Sequence, residues 1–230
     1  MKYTLFMPTL NEVVGLKAMM PRVNPKWVDE IMVMDGGSTD GTLEYAKSQG
    51  YTIVHQTRTK GISGAYIEGI PHIKTEAVIS FSPDGNSVPE LIPNLIAKMD
   101  EGYDMVIVSR YLAGAKSEDD DPVTAFGNWM FTQMINVLFG GHYTDTLVMF
   151  RGWKLDMGSS IGALKYPRAG FEPLLSIRGA REKRKVAEIP GDEPKRIGSP
   201  RKMDPLKNGI DICRLITSEL MDGWKKRGGS

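Results

Sequence analysis

The stretch FSPDGN, residues 81–86, sets Asp84 between the apolar run AVIS and the pattern SVPELIPNLIAKM, which reads as a helix opened by Ser87. A strand that ends in a short acidic turn before a helix commonly holds a metal ion. A hard divalent cation usually draws on more than one carboxylate, and Asp84 is the only one here. On these residues alone a metal site, an altered metal site and a plain turn all stay open. Other segments end in comparable groups. In MDGGSTDGT (34–42) Asp35 closes a strand, the glycines permit a tight turn, and Ser38 or Thr39 can open a helix with Asp40 in its first turn. A carboxylate so placed can accept hydrogen bonds from a nucleobase imide or a ribose hydroxyl. In PTLNE (8–12) Asn11 holds the position of a helix cap. In KGISGAYIEG (60–69) Gly61 and Gly64 stand at a helix start, where backbone amides can face a phosphate.

Short apolar runs alternate with helical periods through the first half of the chain. Residues 3–7, 30–34, 51–55, 77–81 and 104–109 read as strands, and helices fit over 11–20, 39–49, 61–73 and 87–101. Gly50 and Gly102 fall where helix C-terminal glycines belong. Continuous apolar strands alternating with helices imply an α/β fold, a mostly parallel central sheet covered on both faces. Ligands of such sheets bind beyond the carboxyl ends of the strands, which is where the polar motifs lie. In the second half, residues 124–140 form a helix with Phe126, Trp129, Met130, Met134, Val137 and Leu138 on one face. That face is expected to pack on the core rather than to line an acceptor groove. Further on, 170–180 reads as a helix, 184–190 as a strand and 205–226 as a long amphipathic helix. The expected division is a domain over 1–203 followed by a C-terminal amphipathic helix and tail over 204–230. KSEDDDP (116–122) reads as a polar loop with solvated aspartates.

Composition narrows the classes. At 230 residues, 41% hydrophobic and 25% charged, the chain can bury a full core. Its net charge of +1 gives no global field for nucleic acid. Between Arg178 and Lys202, however, nine Lys/Arg face four acidic residues. This is either a solvated basic face or a surface for phosphates and anionic head groups. Cys213 is the sole cysteine, which excludes an intramolecular disulfide and a cysteine-based zinc site, and the three scattered histidines His55, His72 and His142 argue against a histidine-rich metal site. No signal peptide and no apolar run of about 18 residues is apparent. The expected location is cytoplasmic, at the cytoplasmic face of a membrane if the basic surface meets anionic head groups.

Taken in order, PTLNE, DGGSTDGT, KGISGAYIEG and SPDGN resemble the motif series of family 2 glycosyltransferases with the GT-A fold. VSRY (108–111), TDTLVMFR (144–151), GFEPLLSIR (170–178), KVAEIP (185–190) and RIGSPRK (196–202) resemble, in the same order, the dolichyl-phosphate mannose synthase or polyprenyl-phosphate branch. The resemblance covers nearly the whole chain. It implies that Pro8, Asn11, Glu12, Asp35 and Gly61 hold the nucleotide. It implies that Asp84 is the second aspartate of the Asp-X-Asp metal motif, and that Asn86 stands where the branch often supplies a glutamine oxygen. Ser82 replaces the first aspartate, so Mg²⁺ or Mn²⁺ should bind mainly together with the nucleotide. Arg110, Arg196, Ser199, Arg201 and Lys202 fall at phosphate-contacting positions. Asp145 falls near the sugar and acceptor, and Glu172 is a second carboxylate there.

The implied activity is inverting transfer of a hexose from a GDP- or UDP-sugar to a polyprenyl phosphate, with peripheral membrane contact. A saccharide acceptor in envelope polysaccharide assembly is the alternative within transferases. A non-catalytic nucleotide-sugar-binding protein is the alternative of another class. Sugar nucleotidyltransferases are set aside because MPTLNE carries no glycine-rich loop after the first strand.

Overall fold

A computed structural model describes residues 1–159, 170–198 and 204–228. Seven strands form one sheet: β1 (Tyr3–Thr9), β2 (Glu30–Asp35), β3 (Thr52–His55), β4 (Ala77–Ser80), β5 (Met105–Ser109), β6 (Arg151–Lys154) and β7 (Val186–Pro190), in the order β3-β2-β1-β4-β6-β5-β7. All neighbours pair in parallel except β6, which runs antiparallel to both β4 and β5. The helices are α1 (Val13–Met19), α2 (Thr42–Ser48), α3 (Ile62–Gly69), α4 (Ile92–Asp100), α5 (Pro122–Phe139), α6 (Leu155–Ser159), α7 (Phe171–Arg181) and α8 (Pro205–Gly228). The mostly parallel α/β sheet expected from the alternating pattern is therefore present.

The central strands are apolar on both faces because helices cover both sides. Every residue of β4 and β5 is buried. Beneath α3 and α7 an aromatic stack supports the sheet. Tyr66 lies parallel to Phe171 at 3.7 Å and near Phe6 at 5.0 Å, and Trp153 of β6 tilts against Phe171 at 5.4 Å. Each such pair contributes about 0.5–1.5 kcal/mol beyond its burial. Ile212, Leu215 and Ile216 of α8 join the same core cluster.

Three local expectations change. Ser87 does not open a helix: a 3₁₀ turn over Pro89–Leu91 intervenes and α4 starts at Ile92, while the Ser87 hydroxyl accepts a long 3.4 Å hydrogen bond from the Ser82 amide. Asn11 does not cap α1; it takes a left-handed backbone (φ 55°), and Glu12 is the residue preceding the helix. The third change concerns α5, whose buried residues are Thr124, Asn128, Phe131, Thr132 and Ile135. Part of the face read as core-directed is turned outward, with Phe126 60%, Trp129 57% and Val137 81% exposed, while Met130 and Met134 of the same face pack against the core. This helix is apolar on two sides, and polar pairing decides which side goes in. Thr132 bonds Thr146 at 3.0 Å, and Asn128 donates to the Tyr111 hydroxyl at 2.9 Å.

The start of α5 is fixed by Asp121, whose carboxylate accepts from the Thr124 amide at 2.9 Å. Asp121→Ala should lower stability by about 1 kcal/mol, the usual cost of losing an N-cap. Urea unfolding followed by circular dichroism measures it, and an unchanged midpoint would assign the helix start to Pro122 instead.

Candidate active site

The loops at the carboxyl edge of the sheet make two connected centres. At the first, β1 and β2 end side by side, with Thr9 opposite Asp35 in register. Asp35 is buried, and its carboxylate accepts from the amides of Gly37 at 2.9 Å and Ser38 at 3.1 Å. The turn needs Gly37 because its φ is 101°, a region closed to most side chains. Asn11 then ties the two loops together. Its amide donates to the Ser38 hydroxyl at 2.9 Å, and its side-chain oxygen accepts from the Thr39 amide at 2.8 Å. The Glu12 amide donates to Thr42, and the Val13 amide to Asp40. Pro8, Asn11, Glu12 and Asp35 thus fall in one place, on two loops joined by hydrogen bonds between backbone amides and side chains. Gly61 lies at the start of α3 (φ 81°), and its carbonyl accepts from Gln56 at 3.1 Å.

The loop between β3 and Gly61 is held by a residue the sequence did not single out. Glu68 of α3 accepts from the amides of Thr57, Arg58 and Thr59 and from the Thr59 hydroxyl, at 2.6–3.0 Å. Burial by itself raises the pKa of this carboxyl, but these hydrogen bonds outweigh it and draw the pKa down to about 2.

The second centre lies across β4, β5, β6 and β7. Arg110, just after β5, is 93% withdrawn from solvent at its side chain, and Asp145 is fully buried. They form a two-point pair, Nε to Oδ2 at 2.7 Å and Nη2 to Oδ1 at 3.0 Å. The remaining Arg110 nitrogen faces Glu193 at 3.3 Å and Asp120 at 3.6 Å. Asp145 also accepts from the amides of Leu147 and Val148. Burial pushes its pKa up, and the Arg110 charge and hydrogen bonds more than reverse that, leaving it below the usual value. Glu188 grips the approach from the other side, accepting from the amides of Thr144 and Asp145. Arg110 therefore organises three carboxylates in this structure, and neither Asp145 oxygen stands free as a base. Glu172 lies in the first turn of α7, with one oxygen buried and unbonded; burial raises its pKa against the lowering pull of Arg151.

FSPDGN lies beside this centre. Asp84 is buried, accepts from the Asn86 amide at 3.2 Å and pairs with Arg196 Nη1 at 3.0 Å. Arg196 Nε reaches Asp119 at 3.1 Å, and the Asn86 side-chain nitrogen donates to the same Asp119 oxygen at 3.3 Å. Ser199, Arg201 and Lys202 lie outside the described residues. The aspartates of KSEDDDP are not merely solvated. Asp119 bonds Arg196 and Asn86, Asp120 accepts from Tyr111 and Asn128, and Asp121 caps α5. A run of three aspartates in a polar loop carries no periodic signal that distinguishes their partners, so sequence reasoning passed over them.

The donor set tests whether a divalent cation fits. Among the described residues no three His, Cys, Asp or Glu side chains converge on a metal position. The oxygens of Asp84 and Asn86 are hard ligands suited to Mg²⁺ or Mn²⁺. Asn86 Oδ1 is buried with no hydrogen-bond partner, and a guanidinium already stands as a cation against Asp84. The residues fit a cation that draws its remaining ligands from a bound diphosphate and water.

The profile of the family described as Glycosyl transferase family 2 matches residues 4–155. An undecaprenyl-phosphate mannosyltransferase of Micrococcus luteus is 25% identical over 201 residues, 83% of this chain and 82% of that protein. A dolichol-phosphate mannosyltransferase of Pyrococcus furiosus is 33% identical over 126 residues, 52% of this chain and 36% of that protein. Among solved structures, glucosyl-3-phosphoglycerate synthase of Mycobacterium tuberculosis with Mn²⁺, UDP and phosphoglyceric acid superposes with a TM-score of 0.74 at 19% identity, covering 95% of this chain and 78% of that one. This last likeness shows the fold, and that neighbour is also known with Mg²⁺ and UDP.

Because the folded-state pKa of Glu68 lies below its ordinary 4.5, its contribution to stability is present above that pH and fades as pH falls toward about 2. In Glu68→Gln that increment should be missing at neutral pH, and the fall in urea midpoint between pH 4.5 and 2 should be shallower than in the wild type. Parallel pH profiles for the two proteins would discount this carboxylate as the anchor of the loop.

Proposed function

We propose that this chain, which belongs to glycosyl transferase family 2, moves a hexose from a nucleoside diphosphate sugar to a polyprenyl phosphate with inversion at the anomeric carbon. One observation carries the acceptor assignment. Between α5 and α8 runs an apolar trough of about 1060 Å³, lined by Val123, Phe126, Met130, Leu206, Ile210 and Met221 among others. Its lining also includes Asn128 and Leu147, which bond Asp120 and Asp145. An apolar surface that ends on a charged centre suits a molecule with a long hydrocarbon tail and an anionic head. The names of the Micrococcus and Pyrococcus relatives point to the same acceptor class.

The chemistry agrees with the burial of Asp145. A hydroxyl acceptor needs a general base within reach, and both oxygens of Asp145 are engaged by Arg110 and backbone amides. A phosphate acceptor is already anionic. Its oxygen forms the new bond to the anomeric carbon as the bond to the donor's diphosphate breaks, and the electron pair leaves with the nucleoside diphosphate. Asp35, with the loops joined by Asn11, orients the nucleoside. Arg196 meets phosphate oxygens, for which a guanidinium fork is well matched. Asp84 and Asn86 would hold Mg²⁺ or Mn²⁺, which as a Lewis acid stabilises charge on the departing diphosphate.

No helix among the described residues is long and apolar enough to cross a membrane. Access to a lipid then falls to the exposed side chains of α5 and α8, including Phe126, Trp129, Leu206 and Met221, laid against a bilayer surface.

Incubation with labelled GDP- and UDP-hexoses and vesicles containing polyprenyl phosphate should give a labelled lipid. Replacing Phe126 and Trp129 with serine should reduce vesicle binding and lipid turnover while leaving nucleotide affinity unchanged. Transfer to a soluble saccharide with none to lipid phosphate would overturn the acceptor. Nucleotide-sugar binding with no transfer to either would remove catalysis from the reading.

A further inference from the structure

We infer that Asp119, from the loop between β5 and α5, is the second carboxylate of the cation site at FSPDGN, and that Arg196 is the resident cation which a metal–nucleotide complex displaces. The inference rests on the preceding reading only in taking the incoming ligand to be a nucleoside diphosphate sugar.

The site has one carboxylate in its own turn, because Ser82 stands two residues before Asp84. A second carboxylate is nonetheless present in space. Asp119 approaches from 35 positions further along the chain, and a single guanidinium joins it to Asp84, at 3.1 Å from Nε and 3.0 Å from Nη1. Asn86 lies against the same pair. Its nitrogen donates to Asp119 at 3.3 Å, and its oxygen is buried without a partner. A buried acceptor left unbonded costs free energy, and a cation between Asp84 and Asp119 would satisfy it. Two carboxylates and an amide oxygen form a hard donor set of the kind Mg²⁺ and Mn²⁺ prefer.

Charge explains why the guanidinium is a placeholder. Among the described residues of the site, Asp84 and Asp119 bring two negative charges, and Arg196 returns one positive charge. A diphosphate arriving here adds at least two more negative charges, and one guanidinium leaves that assembly strongly anionic. A divalent cation removes most of the excess and frees Arg196 to turn onto the phosphate oxygens. The exchange needs little movement of the backbone. The Ile197 amide already donates to the Asp84 carbonyl at 2.6 Å, which keeps the Arg196 backbone beside the site whichever way its side chain points.

Mn²⁺ binding, followed by the loss of the electron paramagnetic resonance signal of the free ion, tests this with and without UDP or GDP. Asp119→Asn should weaken Mn²⁺ binding about tenfold in the presence of nucleotide, in the range seen when groups around a metal are altered. Arg196→Gln should make Mn²⁺ binding in the absence of nucleotide severalfold tighter, because the competitor is gone. Asp121→Ala, which disturbs the same loop away from the site, should leave Mn²⁺ affinity unchanged. An unchanged affinity in Asp119→Asn, or an unchanged or weaker one in Arg196→Gln, overturns the inference, as does a wild type that binds no Mn²⁺ under either condition. Failure of the functional reading looks different: the Mn²⁺ shifts appear as expected while no nucleotide sugar is turned over.

Discussion

The site depends on keeping one guanidinium charge out of water. Arg110 and Asp145 are both withdrawn from solvent, and taking such ions from water costs several kcal/mol each unless their hydrogen bonds are complete. Two parallel bonds join them, and the nitrogen left over is met by Glu193 and Asp120. The four partners come from the end of β5, the approach to β6, the loop before α5 and the segment after β7. A pair that must be satisfied on all sides therefore specifies where four separate segments lie. Burial raises the pKa of Glu188 and Glu193, the negative charges of Asp145 and Asp120 add to it, and for Glu193 Arg110 pulls the other way.

Two of those segments are fastened to one another by backbone as well. Ser117 and Glu193 form a short parallel bridge, with the Glu118 amide donating to the Glu193 carbonyl and the Glu193 amide to that of Lys116. Neighbouring side chains on the two segments then divide between the centres. Asp120 and Glu193 face Arg110, while Asp119 and Arg196 face Asp84. The positions of the charged side chains at the two centres are thus tied together through a few residues of paired backbone. The turn at Asp84 is held from beneath by α1. A Cβ on Gly15 would lie 2.3 Å from the Pro83 carbonyl oxygen, so the helix can approach this closely only with glycine there.

Six of the seven strands were legible as short runs rich in apolar residues, the central ones because both their faces are buried and the edge strands β3 and β7 although theirs are only partly so. β6 was not, since its sequence is Arg-Gly-Trp-Lys. Arg151 is fully buried there, donating to the carbonyls of Thr146, Val148 and Glu172, and Gly152 lies where a Cβ would come within 2.1 Å of Leu95. Tertiary hydrogen bonds and packing, which leave no periodic trace, put these residues in the sheet. The nucleotide-side residues were readable, because Asp35, Asn11 and the glycines act within short turns. Glu68, Asp119, Asp120 and Glu193 were not, because each bonds a distant segment or a loop backbone. On α5 the pattern gave the helix but misplaced part of its core face, since Met130 and Met134 pack on the core and Phe126 and Trp129 do not. Hydropathy ranks Phe126 and Trp129 above Thr124, Asn128 and Thr132, whereas the core accepted these polar residues with partners in Asp121, in Tyr111 and Asp120, and in Thr146.

That outward turn bears on how the chain could meet an amphiphilic substrate. Hydrogen-bonded polar residues on the inner face of α5 connect it to the charged centre, and large apolar residues on its outer face remain available to hydrocarbon. A helix with its apolar side inward would have isolated the centre from any lipid. The same geometry lets the charges stay fixed while an acceptor arrives. Dipoles and ions already oriented before reaction need not reorganise as charge moves from an attacking oxygen to a leaving diphosphate. For the proposed transfer to a phosphate acceptor, which needs no base, a carboxylate locked to a guanidinium serves better than a mobile one. Its bonds keep Arg110 in place, whereas Arg196 is partly exposed where it meets Asp84 and Asp119.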